Sequence, residues 1–257
     1  MHRKPLTGRT ILVTRPEDGS SALAPKLRRL GARVLSIPVV RIAHPSSTRR
    51  LDEALRRWRA YDALVVASPN AASRLLARAR ALKLRLRPRP LAFAVGPATA
   101  APLRREGWRV RVANPHRGEA LAQAMGRVRG WRILLPRAEA GRELLPRMLR
   151  RKGAFVDVVT AYRTLPDHTA ARLLSRAAGD KNIDAVAFTS GSAVESLHAQ
   201  LPGRLRRRLW QKAIAASIGP ITSAALRRRG IKPAVEAPQA TLPELCRAMA
   251  RHFKKPR

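Results

Sequence analysis

The sequence ILVTR at residues 11–15 returns as ILLPR at residues 133–137, an offset of 122 positions (133 − 11). A second pair keeps this offset, since YDALVVAS at residues 61–68 aligns with IDAVAFTS at residues 183–190. Each of these runs is short and apolar, as expected of a buried strand. Recurrence at a fixed spacing is the signature of an internal repeat, so two copies of one structural plan are predicted.

A third pair places a turn at the same point of both copies. VGPAT at residues 95–99 matches IGPIT at residues 218–222, with one extra residue in the offset (219 − 96 = 123). Between the apolar runs lie stretches of helical period that end in glycine, such as residues 20–30 before Gly31. Alternating strands and helices predict a parallel sheet with helices on both faces, because such a sheet has no solvated side. We therefore expect an α/β protein in which each half of the chain forms a small doubly wound parallel-sheet unit.

Two extended segments, punctuated by proline, occupy equivalent positions of the two copies, at residues 39–45 and 159–166. If both join the same two bodies, the chain leaves one domain early, builds the second and then returns. This hypothesis gives a discontinuous first domain of residues 1–38 and 167–257 and a second domain of residues 46–158. The two extended segments would be connector strands, and a cleft would separate the lobes.

The charge of the chain is extreme but evenly spread. Its 257 residues include 53 Lys and Arg against 16 Asp and Glu, a formal net charge of +37. The halves 1–129 and 130–257 carry +21 (28 − 7) and +16 (25 − 9), so no basic tail is present. Aromatic residues make up only 4%, which is few for stacking on single strands. Contact with nucleic acid is therefore not favoured, although a positive field would attract any small polyanion.

Composition also limits location and cofactors. No apolar run approaches the roughly 18 residues of a membrane span, and the first residues do not form a secretory signal, so a cytoplasmic protein is expected. Cys246 is the only cysteine, and the six histidines lack ligand-like spacing. Nucleotide-binding glycine patterns and nucleophile motifs are absent. We expect neither a metal nor a cofactor.

Four turns follow an apolar run and open a helix, where free backbone N–H groups favour anions. Proline in the first turn and nearby hydroxyls suit such helix starts. Taken singly, each turn is also compatible with ordinary helix capping. Arg15 could bind a carboxylate or form an interdomain ion pair. The candidate residues in the four turns are Ser68, Asn70, Gly96, Thr99, Ser190, Gly191, Ser192, Gly219 and Thr222.

In order and spacing these motifs resemble the uroporphyrinogen-III synthase family over nearly the whole chain. The resemblance implies two flavodoxin-like lobes joined by a two-stranded β connector, with no cofactor and no metal. It further implies a monomeric lyase of haem biosynthesis that cyclises hydroxymethylbilane to uroporphyrinogen III, inverting ring D through a spiro intermediate. The motifs are residues 12–16, 62–70, 95–99, 134–141, 153–163, 188–192 and 218–222.

The same resemblance suggests roles for individual residues. Tyr162 matches a connector tyrosine proposed to assist departure of the substrate hydroxyl, although it could instead be an aromatic that packs the connector. A phenol with a pKa near 10 carries a proton at neutral pH and can donate it. The nine residues of the four turns match positions lining the family's substrate site, and Arg15 and Arg137 match further contacts. Helix starts and positive charge would suit a polycarboxylate substrate.

Overall fold

The computed structural model describes residues 4–14, 23–168, 170–180 and 182–254. The chain divides into two compact units. The first unit comprises Met1–Arg41 and Leu165–Arg257, and the second unit comprises Ile42–Thr164.

Strands and helices alternate along the chain. It opens with β1 (Thr10–Val13), α1 (Leu23–Arg29), β2 (Arg33–Ser36) and β3 (Val40–Ala43). There follow α2 (Arg49–Arg56), a 3-10 helix (Trp58–Ala60), β4 (Ala63–Val66), α3 (Pro69–Ala81), β5 (Leu91–Ala94), α4 (Pro97–Arg105), β6 (Val110–Val112), α5 (Gly118–Ala124), β7 (Arg132–Ala138), α6 (Leu144–Arg151) and β8 (Phe155–Pro166). The last elements are α7 (Ala170–Asp180), β9 (Ala185–Phe188), α8 (Gly191–Gln200), α9 (Gly203–Lys212), β10 (Ile214–Ser217), α10 (Pro220–Arg228), β11 (Pro233–Glu236) and α11 (Leu242–Lys254). No helix in the described part of the chain is long and apolar enough to cross a bilayer.

Each unit contains one sheet. In the first unit the strand order is β11-β10-β9-β1-β2, and all four pairings are parallel. Counted in chain order this is 2-1-3-4-5, the flavodoxin-like order. The second sheet has the order β3-β8-β7-β4-β5-β6, and its pairings from β8 to β6 are parallel. The predicted α/β architecture with parallel sheets is confirmed.

The sequence copies and the structural units do not coincide. In the first sheet β1 and β2, from the first copy, lie beside β9, β10 and β11 of the second copy, and β1 pairs with β9. In the second sheet β7 and β8, from the second copy, join β4, β5 and β6 of the first. Neither half of the chain therefore folds as a separate unit, and the discontinuous arrangement of domains given above is the one in which each sheet takes strands from both copies. The copies share one strand pattern, so β1 can pair with β9 in the way that β7 pairs with β4.

Successive strand residues pack into different cores, as parallel strands covered on both faces require. In β1, Ile11 and Val13 lie in one buried cluster and Leu12 in another. In β4 the same alternation separates Val65 from Leu64. Helices therefore cover both faces of each sheet, and the carboxyl ends of the strands lead into helix starts along one edge.

A partly buried ion pair fixes α2 on α3. The Arg78 guanidinium donates from Nε and from an Nη to the two carboxylate oxygens of Asp52, each at 2.6 Å. The Thr48 hydroxyl also donates to Asp52, at 3.0 Å. The bond from Arg78 lowers the pKa of Asp52 below its ordinary value, outweighing the opposing effect of burial. This bidentate geometry holds the two helices in one register.

We expect Asp52→Asn to destabilise the protein by about 2–3 kcal/mol at pH 7, because it removes one partner of a desolvated pair. The lowered pKa means that the carboxylate contributes fully above its unfolded pKa of about 3.9. Its contribution disappears as the pH falls from about 4 through the lower folded pKa, so the stabilities of wild type and variant should begin to converge below about pH 4. Urea unfolding at several pH values measures this difference.

The matched control is Glu106→Gln. Glu106 accepts from Arg80 at 2.7 Å, but both side chains are largely exposed, at 44% and 67%. Exposed pairs contribute little, so a loss below about 1 kcal/mol is expected. Equal losses for the two variants would contradict the structural role given to Asp52.

Candidate active site

The carboxyl edge of the second sheet carries Ser68 at the start of α3. Ser68 is the N-cap, and its Oγ accepts the Ala71 N–H at 3.1 Å. Pro69 is the first residue of the helix and has no N–H to satisfy. Asn70 follows it and is half-buried. The 13-residue helix α3 therefore has a capped amino end, where negative charge is favoured.

Tyr162 reaches this helix start from β8. Its hydroxyl lies 3.0 Å from Ser68 Oγ, and either group can donate. The ring is 7% exposed and packs in the same buried cluster as Leu75. Tyr162 therefore packs in the core and also holds a hydroxyl at the carboxyl edge, and its role in catalysis stays a prediction.

The other tyrosine of the chain has a different setting. Tyr61 precedes β4, and its hydroxyl donates to the Asp157 carboxylate at 2.7 Å. Burial and this carboxylate raise the pKa of Tyr61 well above the ordinary value. It lies toward the amino end of β4, away from the helix starts. Tyr162 is the phenol at the candidate edge.

The next turn along this edge is formed around Gly96, which caps α4 in an extended conformation, followed by Pro97. Thr99, in the first turn of α4, is buried. The ring of His116 packs against this turn, since a Cβ added to Gly96 would lie 3.6 Å from His116 Cβ. His116 Nδ1 is 2.7 Å from the Ala113 carbonyl oxygen, which orients the ring. No motif at residue 116 predicted this placement.

Arg137 is engaged with its own loop. Its guanidinium donates to the carbonyls of Gly141, at 3.1 Å, and Arg142, at 2.9 Å, and it is paired with the Glu143 carboxylate. The side chain is 18% exposed. Hydrogen bonding from Arg137 lowers the pKa of Glu143. These bonds hold together the loop between β7 and α6. The predicted contact of Arg137 with a substrate would have to form alongside them.

The first unit repeats the capped helix start. Ser190 is the N-cap of α8, and its Oγ accepts the Ala193 N–H at 3.3 Å. Its backbone angles, φ −159° and ψ 152°, resemble those of Ser68, φ −150° and ψ 150°. Ser190 Oγ also lies 3.1 Å from the Ser192 Oγ, with Gly191 between them. The two sequence copies therefore build equivalent caps.

The second turn of this edge begins α10. Gly219 is its N-cap in extended conformation, Pro220 follows, and Thr222 is buried one turn in. Next to these, the hydroxyls of Ser217 and Ser223 lie 2.6 Å apart. Arg15, the remaining candidate, lies outside the described residues.

Thr189, which directly follows β9, was not among the predicted site residues. Its Oγ1 is buried and lacks a hydrogen-bond partner among the described residues. The run TSGS at residues 189–192 contained this hydroxyl, but its neighbour Ser190 accounted for the cap. A buried, unpaired hydroxyl at this edge is a further candidate for polar contact.

Both edges offer backbone N–H groups and hydroxyls, and the edge of the second sheet adds one phenol and the His116 imidazole. Within the described residues, no group of three or more His, Cys, Asp or Glu side chains could hold a metal ion. Burial raises the pKa of the Cys246 thiol to about 11, so this side chain is a poor nucleophile. Such edges can bind carboxylates and transfer a proton.

Comparison with known proteins points to a single family. The family model described as "Uroporphyrinogen-III synthase HemD" matches residues 21–247. The uroporphyrinogen-III synthase of Synechococcus elongatus is 34% identical, over 97% of this chain and 97% of its own length. That of Salmonella typhimurium is 26% identical, over 75% and 80% respectively.

Two solved structures have the same fold. A mutant uroporphyrinogen III synthase from the extremely thermophilic bacterium Thermus thermophilus superposes with a TM-score of 0.67 at 22% identity, covering 97% of this chain and 100% of its own. The enzyme from Helicobacter pylori gives a TM-score of 0.63 at 18% identity, covering 95% and 98%. With the family match over most of its length, the chain belongs to the uroporphyrinogen-III synthase family.

Proposed function

We propose that this protein is a cytoplasmic, monomeric lyase that cyclises hydroxymethylbilane to uroporphyrinogen III with inversion of ring D. The observation that carries the proposal is the hydrogen bond between the Tyr162 hydroxyl and Ser68 Oγ, at a helix start of a chain belonging to this family. It puts a proton donor beside backbone N–H groups suited to carboxylates. The duplicated caps at Ser68 and Ser190 offer such groups on both units.

In the proposed reaction Tyr162 gives its proton to the leaving hydroxyl, so that water departs as the C–O bond breaks. The pyrrole nitrogen supplies electrons, leaving an electrophilic azafulvene. The substituted carbon of ring D attacks it to form the spiro intermediate, which fragments and closes again at the other carbon. The proton released when the ring regains aromaticity balances the one consumed. The substrate supplies nucleophile and electrons, so the protein mainly positions it.

The activity is tested by supplying hydroxymethylbilane and separating the type I and type III products. We expect the type III isomer, formed faster than the spontaneous reaction. Type I product alone, at the uncatalysed rate, would contradict the proposed function.

Tyr162→Phe should lower kcat by about tenfold or more, because general acids typically contribute about 10²–10⁴-fold. KM should change by less than about twofold, since the aromatic ring and the caps remain. Tyr61→Phe is the matched control, because it also removes one phenol hydroxyl but lies away from the helix starts. Steady-state kinetics should give this control a wild-type kcat. Wild-type turnover in Tyr162→Phe would leave Tyr162 with its packing role only.

Ser68→Ala separates capping from catalysis. Loss of an N-cap hydroxyl typically costs about 1 kcal/mol, so Ser68→Ala and Ser190→Ala should destabilise the protein to similar extents in urea. Only Ser68→Ala also removes the partner of Tyr162, and it should lower kcat more than Ser190→Ala does. Equal effects of the two on kcat would argue against Ser68 as the residue that positions the phenol.

A further inference from the structure

A groove of about 530 Å³ lies on the first unit, at the edge opposite the candidate active site. Its walls come from the end of α9 and from the segments that begin β10 and β11. The residues at these strand starts include Ile214 and Lys232. Since parallel strands have their carboxyl ends at one edge, the amino ends that form this groove are remote from Ser190 and Gly219. The groove therefore needs its own explanation.

Cations dominate the polar lining. Arg206 donates to the carbonyls of His198, at 2.8 Å, and Leu201, at 3.3 Å. These bonds satisfy carbonyl groups at the end of α8 without neutralising the guanidinium. Arg229 is paired with Glu195, Nε to carboxylate oxygen at 2.6 Å. Two further cations on the lining, Arg207 and Lys232, are exposed, and neither has a carboxylate within ion-pair distance among the described residues. Positive charge in the groove is thus in excess.

Apart from His198 and Gln211, the rest of the lining is apolar and aromatic. Trp210 packs on Phe188, with ring centroids 6.3 Å apart, and also lines the groove beside Ile214 and Ile231. Trp210 Nε1 is buried without a hydrogen-bond partner in the described part of the chain, as is His198 Nδ1. An aromatic wall next to unpaired cations suits a ligand with a flat ring and negative groups.

The histidine in the lining lies among positively charged side chains. Burial lowers the pKa of His198, and the charges of Arg206 and Arg229 lower it further against the opposing effect of Glu195. The neutral ring contributes no positive charge to the groove. The positive charges around it disfavour its protonation. The positive potential therefore comes from the arginines and Lys232.

We infer that this groove binds a small aromatic polyanion, a flat ring that carries phosphate or carboxylate groups. The ring would lie against Trp210, and the anionic groups would contact Arg207 and Lys232. The volume falls within the roughly 300–1,000 Å³ of small-molecule sites. With Trp210 as the aromatic wall, the groove has room for one ring system rather than a stacked strand. The inference does not depend on the proposed catalytic function.

The experiment separates ring from charge by calorimetry at about 0.15 M salt, where long-range attraction is screened. The probes are ATP, tripolyphosphate without a ring, adenosine without charge, and pyrrole dicarboxylic acid. We expect ATP or the pyrrole acid to bind at least about tenfold more tightly than tripolyphosphate and adenosine. Tighter binding of ATP assigns a phosphate ligand and tighter binding of the pyrrole acid a carboxylate ligand, and either result supports the inference.

The groove is located by paired variants. Arg207→Ala with Lys232→Ala should weaken binding of the tighter probe by about tenfold or more. Arg251→Ala with Lys254→Ala removes the same charges from exposed positions on α11, which packs on the other face of the sheet, and should change affinity by less than about twofold. Quenching of tryptophan fluorescence by the probe should disappear in Trp210→Phe. Equal losses in the two double variants, or tripolyphosphate binding as tightly as either ring probe, would overturn the inference.

Discussion

Parallel strand pairing is the constraint on which the rest of the structure depends. A parallel strand is buried on both faces, so its alternate residues must enter two different cores, as Ile11 and Leu12 do. Each return to the sheet needs a crossover, and nearly every crossover contains a helix that starts just beyond the carboxyl end of a strand. Helix starts consequently collect along one edge of each sheet. The pattern that builds the hydrophobic core thereby also puts backbone N–H groups and capping hydroxyls together at one edge, where they favour anions.

The exchange of strands between the two sequence copies follows from the same constraint. The two copies contain similar apolar runs. By its side chains alone, β1 could therefore pair with β9 or with β4, which is the strand of its own copy that corresponds to β9. Nothing in side-chain pattern distinguishes these pairings. The distinction lies in chain path, because β3 and the second half of β8 are extended and carry the chain from one unit to the other. Repeat detection could therefore predict the strands, the helices and their alternation, whereas the exchange of strands between the copies depends on the path of the two extended segments.

In the candidate site, too, some features depend on neighbouring residues in the sequence and others on residues far apart in the sequence. Proline, glycine and serine mark helix starts over three or four residues, and α3, α4, α8 and α10 begin at these marks. The contact between Ser68 and Tyr162 joins positions 94 residues apart and depends on how β8, β7 and β4 lie side by side. Likewise, the placement of His116 against Gly96 depends on the loop after β6. Local motifs could locate the caps, whereas the proton-bearing groups beside them required the assembled sheet.

Net charge is the weakest guide to specificity in this chain. At +37, the surface attracts anions of many kinds, and most of that attraction is screened by physiological salt. Even an arginine near the candidate edge, Arg137, is committed to carbonyls and a carboxylate of its own loop. Selection among anions must therefore come from directional groups. These are capped helix starts and a phenol at the carboxyl edge of the second sheet, and Trp210 with the exposed cations of the groove at the amino edge of the first. Long-range charge can attract a ligand to the protein, but hydrogen-bond donors in fixed positions and aromatic surfaces determine where the ligand binds.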